Sequence, residues 1–158
     1  MKRGYYTTEA VLLNTFDVAE SDRILVFYTL DYGKLRGIAK GARMSRKRFV
    51  GCLEPPSLIN LNFFHNERVE LVRVESAGLV DGFPGLKIDI DRFSGACYLL
   101  ELTSEMTREG QPYPAVFGIL AGFLKMLEAG EGAAFLRFFE IRLLTMLGYL
   151  PHLDGCVT

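Results

Sequence analysis

No apolar run in this 158-residue chain approaches the roughly 18–20 residues that a helix needs to cross a membrane, so no transmembrane span is expected. The amino terminus, MKRGYYTTEAVLL, is basic, but its apolar stretch is too short and too interrupted for a signal peptide, and a cytoplasmic location is expected. Cysteine is scarce. Cys52, Cys97 and Cys156 form an odd set without close spacing, which argues against a disulfide framework and for reduced, mostly buried thiols. Histidine is scarcer, with only His65 and His152. There is no Gly-rich loop followed by Lys-Ser/Thr, no GxSxG and no HExxH, so the common enzyme signatures are missing. Internal repeats and low-complexity tracts are missing too. What remains is apolar enough for a real core, with 49% hydrophobic residues, 12 Phe and 7 Tyr, at a length that fits one domain or two small ones.

Acidic residues are absent from one place in particular. Between Lys34 and Arg48, in GKLRGIAKGARMSRKRF, seven basic residues stand without a carboxylate. Residues 1–50 carry 10 basic and 5 acidic side chains, and the remaining residues carry 8 and 14. Segregation of this kind focuses a positive field on one end of the molecule and suits capture of a polyanion such as DNA or RNA. An ordinary solvated Lys/Arg loop is the alternative. Arg43, Arg46, Lys47 and Arg48 are the strongest candidates, because guanidinium grips phosphate with a planar fork and ammonium adds a mobile charge. Lys34, Arg36 and Lys40 are expected to contribute less each, as a strand points alternate side chains away from a common surface. No recognition helix accompanies these groups, so binding should follow the backbone with little sequence preference.

From Tyr5 to about Gly78 the pattern is strand-like, with segments at 9–16, 22–30, 35–39, 57–63 and 69–77. A polar turn at 17–20, a tight turn at Asp31-Tyr32-Gly33 and a link across His65-Asn66 separate them. Five short strands with one long basic connection suggest a small closed or partly closed barrel, closure being what lets so few residues form a stable sheet. After Asp81-Gly82-Phe83-Pro84-Gly85 the period becomes helical, over 89–107, 115–127 and 133–147. The third helix is apolar almost all round and is expected at the centre of a bundle. Residues 1–80 and 81–158 are therefore read as two domains, a barrel and a helical unit.

Other candidate chemistry is thin. His65 reads as a surface turn residue. His152, Asp154 and Cys156 offer at most three ligands for a metal that usually takes four. Glu20 and Asp22 read as turn residues. Phe27, Tyr28, Phe63 and Phe64 are expected mostly in the core, with a minority free to stack bases on the barrel face.

The segments EAVLLNTFDVAESDRILVFYTLDYGKLRGIAKGAR, CLEPPSLINLNFF, YLLELTSEM and FFEIRLLTMLGYLPHLDGC, in this order and spacing, resemble the bacterial RecO family of recombination and repair proteins. The resemblance runs through nearly all of the chain. It implies an α+β fold, a five-stranded OB-fold barrel followed by an all-helical domain. It also implies a non-enzymatic DNA-binding protein that anneals complementary single strands and binds single- and double-stranded DNA. The implied partners are RecR, in many bacteria RecF, and the acidic tail of the single-strand binding protein SSB, which RecA replaces on DNA. A protein-interaction adaptor that binds RecR and SSB, with weak DNA binding, is the competing reading.

Many members of the family carry a four-cysteine zinc module that opens with a C-x2-C pair. Cys156 matches its first cysteine, and the chain ends at Thr158 before the second. The resemblance thus implies a truncated chain without that zinc or any other cofactor, whose helical part exposes apolar surface and favours self-association. For the SSB tail, which is acidic and ends in hydrophobic residues, Arg137 and Arg142 on the most apolar helix are the candidate rim of a pocket. Glu140, three residues from Arg137, is the structural alternative as their partner.

Overall fold

The computed structural model describes residues 1–130 and 132–149. Its first half is one sheet of five strands, β1 (Gly4–Val18), β2 (Asp22–Thr29), β3 (Gly33–Ala39), β4 (Ser57–His65) and β5 (Val72–Asp81). The run Ala10-Val11-Leu12-Leu13 is buried throughout, on two opposite faces. Ala10 and Leu12 enter an inner cluster with Leu25, Phe27, Ile59, Leu61 and Phe63. Val11 and Leu13 enter an outer one with Tyr28, Leu58 and the helices. An unbroken apolar run of this length marks a strand covered on both sides.

The strands pair in the order β1-β2-β3-β5-β4, and β4 pairs again with β1. β1 is long enough to serve both neighbours, with Phe16 opposite Ile24 of β2 and Tyr5 opposite Phe64 of β4. The strands thus close into a barrel, as expected, but the closure is uneven. The sheet is mixed, and its last side is a parallel ladder of only two register pairs, Gly37–Val72 and Ile38–Arg73. β5 begins at Val72 rather than at residue 69, so only its first residues reach β3 before it runs along β4. Gly37 makes even this contact achievable: a Cβ there would lie 2.8 Å from Val74 Cγ2 and 3.1 Å from the Val72 carbonyl oxygen. The rest of the β3 edge is not left to pairing within the sheet. Lys34 bridges to Glu109, and Gly110 N–H donates to the Lys34 carbonyl oxygen at 3.0 Å.

Among the described residues four helices follow, α1 (Pro84–Lys87), α2 (Ile90–Met106), α3 (Pro114–Glu128) and α4 (Ala133–Met146). The Asp89 carboxylate starts α2 by accepting from the backbone N–H groups of Asp91 and Arg92 at 3.0 and 3.1 Å. Pro114 opens α3, where its missing N–H costs no helical bond. The central helix is α3, which buries Val116, Phe117, Leu120, Phe123, Leu124 and Leu127 against β1, α2 and α4. The expectation that α4 holds the centre is corrected. Its fully buried side chains are Phe139 and Leu143, while Phe138 and Ile141 are 53% and 40% exposed. It packs mainly on α2 and α3 with one face, and the other is left uncovered among the described residues. The helical layer also lacks a core of its own, since Val11, Leu13, Tyr28 and Leu58 of the sheet belong to its cluster. No helix among the described residues is long and apolar enough to cross a membrane.

Candidate nucleic-acid interface

The long β3–β4 connection is anchored from below. Ala42, Phe49, Cys52 and Leu53 are buried in the inner cluster of the sheet. Gly41, at φ +64°, turns the chain out of β3, and its N–H donates to Asp22 Oδ1 at 2.8 Å. Arg43 N–H donates to the Ser21 carbonyl oxygen at 3.1 Å, and Ala77 N–H donates to that of Arg48 at 2.9 Å. Burial pushes the Cys52 thiol pKa up, so Cys52 serves as a packed neutral group. The expectation of mostly buried cysteines holds for Cys52 and is corrected for Cys97, which is exposed on α2 because Ala96, Leu99 and Leu100 form the buried stripe.

Between these anchors Arg43, Met44, Arg46, Lys47 and Arg48 face solvent. Arg43 and Arg46 line an open cleft of about 510 Å³ with Phe49, Arg23 and Glu54. The acidic wall of that cleft is already neutralised, because Arg23 bridges Asp17 at 2.8 Å and Glu54 at 2.7 Å. Arg43, Arg46 and Lys47 form no ion pair among the described residues. Arg48 differs. Its Nη2 donates to the Lys40 carbonyl oxygen at 2.6 Å and its guanidinium sits 4.9 Å from the Phe49 ring centroid, so it braces the loop.

Alternation does not point Lys34, Arg36 and Lys40 away from a common surface. They have the same parity and share the outward face of β3 and its end, while Leu35, Gly37 and Ala39 are buried. They differ in what they touch. Lys34 Nζ donates to the carbonyl oxygens of Ser104 and Thr107, Arg36 stands 3.9 Å from Glu109, and Lys40 is exposed.

On α4 the two candidate arginines are not brought together. Five residues apart, they lie on different sides of the helix. Arg137 grips both oxygens of Glu140 at 2.6 and 2.8 Å, and Tyr98 Oη donates to the same carboxylate at 2.5 Å. Those contacts, the Tyr98 hydrogen bond first, hold the Glu140 carboxyl below the usual range. Arg142 lies 5.7 Å from the Phe138 ring centroid. A small groove of about 200 Å³ runs between α2 and α4, lined by Tyr98, Leu102, Met106, Glu140, Leu143 and Leu144, and neither arginine lines it.

Of the aromatics singled out in the sequence, Phe27, Tyr28 and Phe63 are fully buried and Phe64 lies on the outer face. Its neighbour there is Tyr5, which sequence reasoning missed although the alternation in Gly4–Val18 places it outward. Among the described residues no group of three or more His, Cys, Asp or Glu side chains is arranged as metal ligands. His152, Asp154 and Cys156 lie outside the described residues.

A mixed sheet carries an anchored basic loop and is roofed by helices that share its core. Two family models match the chain, "Recombination protein O N terminal" over residues 1–83 and "Recombination protein O C terminal" over residues 88–158. The chain belongs to the RecO family. A DNA repair protein RecO from Syntrophus aciditrophicus is 41% identical over 156 residues, covering 98% of this chain and 60% of the relative. Those of Syntrophobacter fumaroxidans and Geobacter metallireducens are 43% and 39% identical, over 94% and 96% of this chain and 59% and 62% of theirs. The chain thus spans about three fifths of the length of these relatives.

Proposed function

We propose that this chain acts in DNA repair as a non-enzymatic recombination mediator, which anneals complementary single strands and, with RecR, helps load RecA onto SSB-coated DNA. The observation that carries the reading is the anchored loop that holds Arg43, Arg46 and Lys47 in solvent, without carboxylate partners among the described residues. Such groups lower the repulsion between two phosphate backbones while base pairing supplies specificity. Annealing by this route involves no bond making or breaking by the protein and needs no cofactor. Single- and double-stranded DNA, RecR, the SSB tail and, indirectly, RecA and RecF are the partners of this reading, in the bacterial cytoplasm at the nucleoid.

The adaptor reading has one observation in its favour, the face of α4 on which Phe138 and Ile141 are exposed among the described residues. A salt titration of single- and double-strand binding, run beside an annealing assay, separates the two. The mediator requires annealing that weakens with salt and with loss of the loop cations. An adaptor would bind RecR or an SSB tail peptide while annealing stayed at the protein-free rate.

A further inference from the structure

Across β1, β4 and β5 the register sets three side chains in one row on the outer face, with Tyr5 opposite Phe64 and Phe64 opposite Arg73. The Tyr5 and Phe64 ring centroids are 4.9 Å apart at an interplanar angle of 57°. Arg73 and Arg3 place guanidinium groups 5.5 and 5.8 Å from the Phe64 centroid. Phe64 is thereby fixed, and it supports a ring that is hardly covered. Tyr5 is 73% exposed, the most exposed aromatic side chain among the described residues.

The charges around this row are mixed. Arg73 is paired with Glu75, and Glu67 accepts the backbone N–H of Arg3. The Arg3 guanidinium itself has no ion-pair partner among the described residues. An occupant held mainly by phosphates would find little net charge here. One that offers a flat π face, with a single anion beside it, fits both the exposed ring and the Arg3 guanidinium. A duplex buries its base faces in the stack, so the fitting ligand is an unpaired base.

We propose that Tyr5, backed by Phe64, is a stacking platform for an unpaired base of single-stranded DNA, with Arg3 taking the neighbouring phosphate. The proposal rests on the DNA-binding reading above and adds to it a contact that tells single strand from duplex.

Binding is measured by fluorescence anisotropy with an oligo(dT), an abasic oligomer of equal length and a duplex, for the full 158-residue chain and its variants. Tyr5→Ala should weaken oligo(dT) binding by about tenfold and leave the abasic oligomer, the duplex and the salt slope unchanged. Tyr5→Phe should bind like wild type, and Tyr5→Leu, which keeps apolar bulk without a π face, should behave like Tyr5→Ala. Arg3→Ala should lower the salt slope by about one. Wild-type affinity of folded Tyr5→Leu for oligo(dT) overturns the platform and leaves the exposed ring to a protein contact. An equal loss on the abasic oligomer overturns it as well. A wild-type chain that binds none of the three overturns the DNA-binding reading itself.

Discussion

Lys34 Nζ donates to the Thr107 carbonyl oxygen at 2.6 Å, and so a cation of the basic stretch closes the carboxyl end of α2. The Ser104 carbonyl oxygen accepts from the same ammonium at 2.5 Å. Both carbonyls belong to the negative end of the helix, where a cation is favoured. The contact also ties β3 to the α2–α3 connection, which runs along the strand edge at Glu109 and Gly110.

Lys34→Met keeps the apolar stem and removes the charge. It should lower stability by about 1–3 kcal/mol, read as a lower urea midpoint, because two carbonyls lose a charged donor. The salt slope of DNA binding should not change. Native stability combined with a reduced slope would place Lys34 on the phosphate backbone instead.

Arg43→Ala, Arg46→Ala and Lys47→Ala combined should weaken binding to all DNA sequences and flatten the log–log salt slope for duplex by about three. Thermal stability should stay within about 0.5 kcal/mol of wild type, since these side chains face solvent. Adding Arg48→Ala should also loosen the loop, because Arg48 holds the Lys40 carbonyl and covers Phe49. An unchanged slope in the triple variant would remove the loop from the interface.

Hydrophobic period and turn chemistry made most of the element list legible: the three long helices lie within a residue or two of the segments read from the sequence. The short helix Pro84–Lys87 was hidden inside what reads as a Gly/Pro turn. What escaped was tertiary. Four apolar residues in a row at Ala10–Leu13 mark a strand covered on both faces, but could not say that the helices supply the second cover. Apolar content misplaced α4, because composition does not report which neighbours are present to cover a helix. The basic stretch was visible as charge, but the division of labour within it was not. Ser104 and Thr107 lie about seventy residues beyond Lys34, and no local pattern joins them.

Gly37→Val tests the two-pair seam between β3 and β5. The added side chain meets Val72 and Val74, and overpacking of this kind costs about 1–3 kcal/mol. Amide hydrogen exchange should rise at Gly37–Ile38 and Val72–Arg73, with protection of the β1–β2 ladder retained. Uniform loss of protection throughout the sheet would show that the seam is needed for the whole fold.

Tyr28 carries an alkaline limit. Burial pushes its phenol pKa from 10.0 up to about 12, and its Oη meets the Tyr113 carbonyl oxygen only at 3.5 Å. A phenol with a raised folded-state pKa stabilises fully below the unfolded value, and that contribution is lost as pH rises through the folded one. Stability should therefore fall between pH 10 and about 12 in wild type. Tyr28→Phe should flatten that part of the profile in urea titrations and change neutral-pH stability little. An equally steep fall in folded Tyr28→Phe would assign the limit to other groups.

Arg137 and Arg142 make different demands on an acidic, hydrophobic-ended peptide such as the proposed SSB tail. Arg137 is already held by both oxygens of Glu140, so recruiting it would mean breaking a formed pair. Arg142 has no carboxylate partner among the described residues and sits beside exposed Phe138, an apolar surface next to an unneutralised cation. Arg142→Ala should therefore weaken a fluorescent tail peptide several-fold, on the scale of about 1 kcal/mol for one charged contact at a rim. Arg137→Ala should have a smaller effect and should release Tyr98 and Glu140 from a shared network. Circular dichroism checks that both variants fold. Unchanged affinity in both would remove α4 from the tail site and leave the two arginines as solvated flank residues of an uncovered helix.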